Sequence, residues 1–271
     1  MADSIVPLLG GAWLTAQLVA LSLLFGIGLA VAVGLMRLSS NRYVAGGAYA
    51  YVFVFRGTPL LVQIALIYYG IGQFAFIRES ILWEVFREAY WCAILALTLN
   101  TAAYTAEIVR GGILSVPHGQ VEAARAYGMS AGQVYRRVIA PQAIRQALPA
   151  YGNEVILMVK ASSLASTITL MEITGVAKRL ISRTYAPIEI FIVAGAIYLA
   201  INFLATRAIR YAEWRMTPDL RPPREPSLHR PVPRLGLGLG LGLKGRRRPT
   251  RREPAATADA RPASRRRTRP G

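Results

Sequence analysis

Between Gly11 and Met36 the chain runs for 26 residues without a charge. As a helix this stretch would be about 39 Å long at 1.5 Å per residue, more than the ~30 Å of a hydrocarbon core. So long an apolar rod is stable in lipid and leaves few soluble alternatives. It is also too long for the apolar region of a cleaved leader, and only Asp3 precedes it, with no basic segment. The expectation is a retained membrane helix. Arg37 and Arg42 follow at once. By the positive-inside rule they hold this end in the cytoplasm, so the N-terminus faces outward.

The same pattern returns along the chain. A second uncharged run covers 57–77, with Arg56 at its cytoplasmic mouth. Residues 78–88 are charge-balanced and suit an outer loop or interfacial helix, with Trp83, Tyr90 and Trp91 at headgroup depth. A third span, about 89–109, closes at Arg110, where Glu107 sits three residues back and in pairing range. A fourth, about 147–171, is interrupted by Glu154 and Lys160, and a short segment, 172–187, crosses back. A fifth, about 188–206, is closed by Arg207, Arg210 and Arg215. The fold class expected is all-α: a polytopic membrane protein of five transmembrane helices, with residues 1–218 as the membrane domain and the C-terminus cytoplasmic. Lys178, Arg179 and Arg183 fall on the outer side and run against the rule.

Composition agrees, with 54% hydrophobic and only 17% charged residues. One cysteine excludes an internal disulfide framework, and two histidines over a hundred residues apart give no metal site. Positive charge is uneven: residues 1–220 hold 17 Lys/Arg against 11 Asp/Glu, and residues 221–271 hold 15 against 3. The basic pI of 10.9 thus describes a tail and loops, not a nucleic-acid-binding core. From 219 to 271 the Arg, Pro and Leu-Gly content offers too little apolar surface to offset ordering entropy, so a disordered tail is expected. Its arginine triplets at 246–248 and 265–267 are suited to anionic membrane lipid, though a solvated tail is the simpler reading.

One polar, basic island interrupts the apolar runs: Ser115–Pro141. Gly128 breaks it, and Ser130-Ala-Gly-Gln133 restarts it in the form of a capping box. This reads as helix, glycine stop, capped helix: an elbow on the water side, either offered to a partner or merely a self-capped connector. Within it Glu122-Ala123-Ala124, then Gly128 and Pro141, resemble the EAA loop of importer permeases of the ATP-binding-cassette (ABC) class. Arg56-Gly57-Thr58-Pro59-Leu60, Leu95–Asn100 and Pro149–Met158 are similar to the polar amino-acid branch, especially its histidine/basic amino-acid type. The likeness covers roughly residues 10–215. One departure is Val138-Ile139-Ala140-Pro141, where the family has I-x-L-P.

The resemblance implies that Glu122, Ala123, Ala124, Arg125, Gly128 and Pro141 form the coupling segment that contacts a separate ATPase. It further implies a second permease, either a homologous chain or another copy, and a periplasmic amino-acid-binding protein in a bacterial inner membrane. The implied cargo is a basic amino acid such as histidine, arginine, lysine or ornithine, with an opine-type derivative as the alternative. The chain itself has no phosphate-binding P-loop and no clustered catalytic constellation. It is therefore expected to be a transport subunit, not an enzyme, and to carry no cofactor.

Candidate pathway residues are Asn100, Asn153, Glu154, Lys160, Ser162 and Ser163. A charge at membrane depth costs about 2.5–3.5 kcal/mol, so Glu154 and Lys160 should face a cavity or a partner. Six helical steps put them on different faces, and they are not expected to pair. Glu154 either attracts a cationic cargo or holds a neighbouring helix; Lys160 either lines the path or snorkels. The hydroxyls and Asn100 have packing as their default role. Arg56, Gly57, Thr58 and Pro59 read as a helix start, with gating geometry as the role implied by resemblance. Two other classes remain on sequence grounds, a self-contained secondary transporter and a scaffold acting through its basic tail.

Overall fold

In a computed structural model, residues 2–216 are described; the tail expectation for 219–271 lies outside them. The described chain is helical throughout. α1 (Ala2–Met36) is followed by α2 (Arg42–Gly57) and α3 (Leu60–Ala65), which continues as π and 3-10 turns to Gln73. Two short helices, α4 (Ala75–Arg78) and α5 (Trp83–Phe86), occupy the charge-balanced stretch. Next come α6 (Ala89–Leu114), α7 (His118–Ala126) and α8 (Ala131–Val134), which passes through a π turn into α9 (Ala140–Ala161). A 3-10 segment, Ser162–Ile168, then α10 (Ile173–Thr184) and α11 (Pro187–Met216) complete the chain.

Three helices are long and apolar enough to cross a membrane: Ile5–Met36, Ala89–Leu114 and Pro187–Met216. Two bent pairs raise the number to five when each is one span. Five spans were expected, but the second has a different construction. It begins at Arg42, not at residue 57, and breaks by 104° between α2 and α3. The physical reason is Thr58-Pro59: proline bars its predecessor from the helical region, and Thr58 sits extended at φ −110°, ψ 142°. The fourth span likewise starts earlier than residue 147 and is bent by 49° before α10.

α6 is the central rod. Most of its buried positions are small, among them Cys92, Ala93, Ala96, Thr101, Ala102, Ala103 and Ala106, so neighbours approach closely. α1 packs along it, and a side chain at Gly26 would collide with the Thr101 methyl at 2.5 Å. Leu18, Ile64, Leu97, Met158 and Ile168 bring α1, α3, α6, α9 and the 3-10 segment into one core. α11 buries only Ile190 and Ala194, leaving a long apolar face suited to lipid.

Candidate functional site

The elbow is built by local chemistry. α7 ends at Ala126 with Tyr127 as its cap, and Gly128 follows at φ +78°, a conformation glycine adopts without Cβ strain. The Met129 amide donates to Ala124 O at 3.2 Å and the Gly128 amide to Arg125 O at 2.9 Å, the two bonds of a Schellman stop. Helix then restarts at Ser130, whose amide donates to Gln133 Oε1 at 2.9 Å within a reciprocal capping box. Pro141 lacks an amide proton and would clash with the carbonyl four residues back. The preceding turn, Tyr135–Ile139, widens to π geometry, and the Ala140 amide reaches back to Tyr135 O. Gln142 Nε2 donates to Gln120 Oε1 at 2.6 Å and ties α9 back to α7.

This arrangement sorts the expected coupling residues. Glu122, Ala123, Arg125, Gly128 and Pro141 are exposed, whereas Ala124 is buried at 7% exposure. Ala124 thus lies on the inward side of α7, while the other five face outward. Just above, Glu107 takes Arg37 Nε at 3.1 Å and Arg110 at 2.8 Å, so the ends of α1 and α6 are clamped where the elbow leaves. The Glu107–Arg110 pair was legible from its spacing; Arg37, 70 residues away, was not.

The signature at Arg56–Pro59 forms the α2–α3 bend. Thr58 Oγ1 donates to Val54 O at 2.8 Å. Gln63 Nε2 donates to Thr58 Oγ1 at 2.7 Å and to Phe55 O at 2.9 Å. Asn100 Nδ2 of α6 donates to Gln63 Oε1 at 3.0 Å. Asn100, a candidate for the pathway, thus braces the bend from a buried position. The Arg56 guanidinium lies over the Tyr104 ring, 5.1 Å from its centroid. Gln63 was missed because an amide in an apolar run has no sequence neighbour that marks it.

Of the α9 candidates, Glu154 is buried at 7% exposure and accepts from Thr101 Oγ1 of α6 at 3.1 Å. Asn153 and Lys160 are exposed. Ser162 is buried and donates to Val159 O at 2.8 Å; Ser163 donates to Lys160 O at 2.7 Å. The two serines and Asn100 therefore satisfy neighbouring backbone or amides. Glu154 and Lys160 do not pair, as expected from their helical phase.

A second buried acid escaped the sequence reading. Glu172 is 0% exposed and caps α10, accepting from the Thr174 amide at 2.9 Å and the Gly175 amide at 2.8 Å. The Tyr198 hydroxyl of α11 donates to the same carboxylate at 2.6 Å. An acid directly before a helix start, three residues ahead of a glycine, was the available signal. Among the described residues no group of His, Cys, Asp and Glu is placed to hold a metal.

Residues 22–218 match the family model described as the binding-protein-dependent transport system inner membrane component. The chain belongs to that family. It is 57% identical over 224 residues to the octopine transport system permease protein OccM of Rhizobium meliloti, covering 83% of this chain and 91% of the relative. The nopaline transport system permease protein NocM of Agrobacterium fabrum is also 57% identical, over 81% of this chain and 91% of its own length. The histidine/lysine/arginine/ornithine permease protein HisM of Escherichia coli K12 is 42% identical, over 78% and 90%. Among solved structures, an amino acid ABC transporter crystallised with histidines matches at TM-score 0.71 and 36% identity, covering 79% of this chain and 96% of that one. The MetNI methionine ABC transporter matches at TM-score 0.68 but 20% identity, a likeness of fold alone, over 80% and 99%. The chain is accordingly a multi-pass inner-membrane permease subunit of an ABC importer for amino acids or opines. The expectations of family and helical fold hold. That family operates with an ATPase and a binding protein.

Proposed function

We propose that this permease subunit moves an arginine-like cargo, with opine-type derivatives ahead of free basic amino acids, and takes its power from a separate ATPase docked on the 115–141 elbow. The observation that carries the reading is Glu154, a buried carboxylate at membrane depth held by a single hydroxyl, Thr101. Arg56 of the α2 end also acts on that charge, and the guanidinium of a cargo is the best geometric match to a carboxylate. The order of cargoes follows sequence likeness, since the octopine and nopaline relatives stand at 57% and the basic amino-acid relative at 42%.

In the proposed mechanism ATP binding closes two motor subunits, which carry the elbows together and open the path outward. Exposed Glu122, Ala123 and Arg125 form the docking face; the Gly128 stop and the capping box keep it rigid enough to transmit force. A second permease, homologous or identical, closes the other side of the path. The elbow and the C-terminal end of α11 lie in the cytoplasm, and the N-terminus outside.

Uptake of labelled octopine, arginine and histidine by cells carrying the whole importer tests the cargo. Octopine is expected to be taken up and to compete with arginine, and Glu154→Gln to lower uptake of both by about tenfold or more. Normal uptake by Glu154→Gln would remove the residue from the path. Uptake of histidine alone would overturn the arginine-like cargo.

A further inference from the structure

Beside the buried Glu172 there is a cleft of 300 Å3 between the end of α9, the start of α10 and α11. Its wall includes Lys160, Ser163, Thr174, Phe191 and Tyr198. We infer that this cleft binds a carboxylate of the cargo, with Lys160 supplying the charge and Thr174 the second donor. The inference rests on the amino-acid or opine cargo proposed above and assigns it a second point of contact.

The argument is one of donors and acceptors. The Lys160 ammonium makes no ion pair or side-chain hydrogen bond among the described residues, and an ammonium at membrane depth calls for an anion. The hydroxyl protons can be followed one by one. Ser163 spends its proton on Lys160 O at 2.7 Å, so it has none for a ligand. Tyr198 spends its proton on Glu172 Oε2 at 2.6 Å. In the Thr174–Tyr198 contact of 3.1 Å, Thr174 must then be the donor. That proton can turn to an entering ligand, because the Tyr198 oxygen loses only one accepted bond. The cleft therefore offers one ammonium and one adjustable hydroxyl, a two-point match to the two oxygens of a carboxylate.

Neighbouring charges favour an anion. Glu172 already accepts three donors, two of them α10 amides, so its oxygens are turned to the helix start. Lys178 donates to Ser166 Oγ at 3.0 Å and adds a second positive charge nearby. Two cations thus stand against one carboxylate. Opines differ from their parent amino acids by an N-carboxyalkyl group, so an extra carboxylate stands one carbon away from the α-nitrogen. A permease with a cationic cleft apart from Glu154 has a contact for that group.

The test uses the importer assembled with its companion subunits in phosphatidylcholine nanodiscs, without the binding protein, and direct binding of labelled octopine, arginine and argininamide. Lys160→Gln is expected to weaken octopine and arginine about tenfold or more, and to leave argininamide, which has no carboxylate, within twofold of wild type. Thr174→Val should act in the same direction by a few-fold, and Lys160→Arg should recover most of the affinity. Octopine binding by Lys160→Gln equal to wild type, or an equal loss for argininamide, would overturn the cleft while leaving the cargo reading intact. Wild-type importer that binds neither octopine nor arginine would overturn both.

Discussion

Glu172→Ala would leave two α10 amides and the Tyr198 hydroxyl without the fully buried carboxylate they share. A lost cap and orphaned donors together cost at least about 2 kcal/mol. The expected result is a clearly lower thermal midpoint for the purified protein, with Glu172→Gln falling between; equal midpoints would show that the carboxylate holds nothing. Residues of this kind differ in how visible they are in a sequence. Glu154 and Lys160 declare themselves by charge in an apolar run, and their helical phase forecasts that they part. Tyr198, Thr15 and Gln63 look like ordinary membrane-helix residues. Their roles exist only once α1, α10 and α11, or α3 and α6, are brought together; Thr15 Oγ1, for example, meets the Ile173 amide 158 residues away, at 3.4 Å.

Among the elements, the elbow was the most legible because its signals are local. Gly128, Ser130 and Gln133 lie within six residues, and backbone rules alone give stop and restart. The α2–α3 bend was half legible. Thr58-Pro59 marked a boundary, but nothing in residues 42–56 told an approaching helix from a loop, since Tyr, Gly and Arg dilute the apolar run. The brace from Asn100 through Gln63 predicts coupling: Asn100→Ala and Gln63→Ala should each lower the unfolding free energy of the purified protein, and the double variant should fall short of their sum by roughly 0.6 kcal/mol or more. Strict additivity would mean the two amides do not act together. The π turn before Pro141 had no local sign beyond the proline, because a helix has several ways to absorb one.

For the whole molecule, the family and the all-helical membrane class were readable from motifs spread over most of the chain and from uncharged runs. Orientation rests on a basic excess that Lys178, Arg179 and Arg183 partly oppose. Arg125→Cys in a Cys92→Ala background should react with an impermeant maleimide only from the cytoplasmic side of sealed vesicles. Reaction from the outside would invert every span. The account as a whole depends on the elbow passing work from an ATPase to the membrane helices. The most direct measurement is the ratio of cargo moved to ATP hydrolysed by the reconstituted importer carrying Gly128→Val. A Cβ at Gly128 meets no neighbouring atom, so the variant strains the backbone stop without disturbing the core. The account predicts continued hydrolysis with uptake reduced about tenfold or more; a ratio equal to wild type would contradict it.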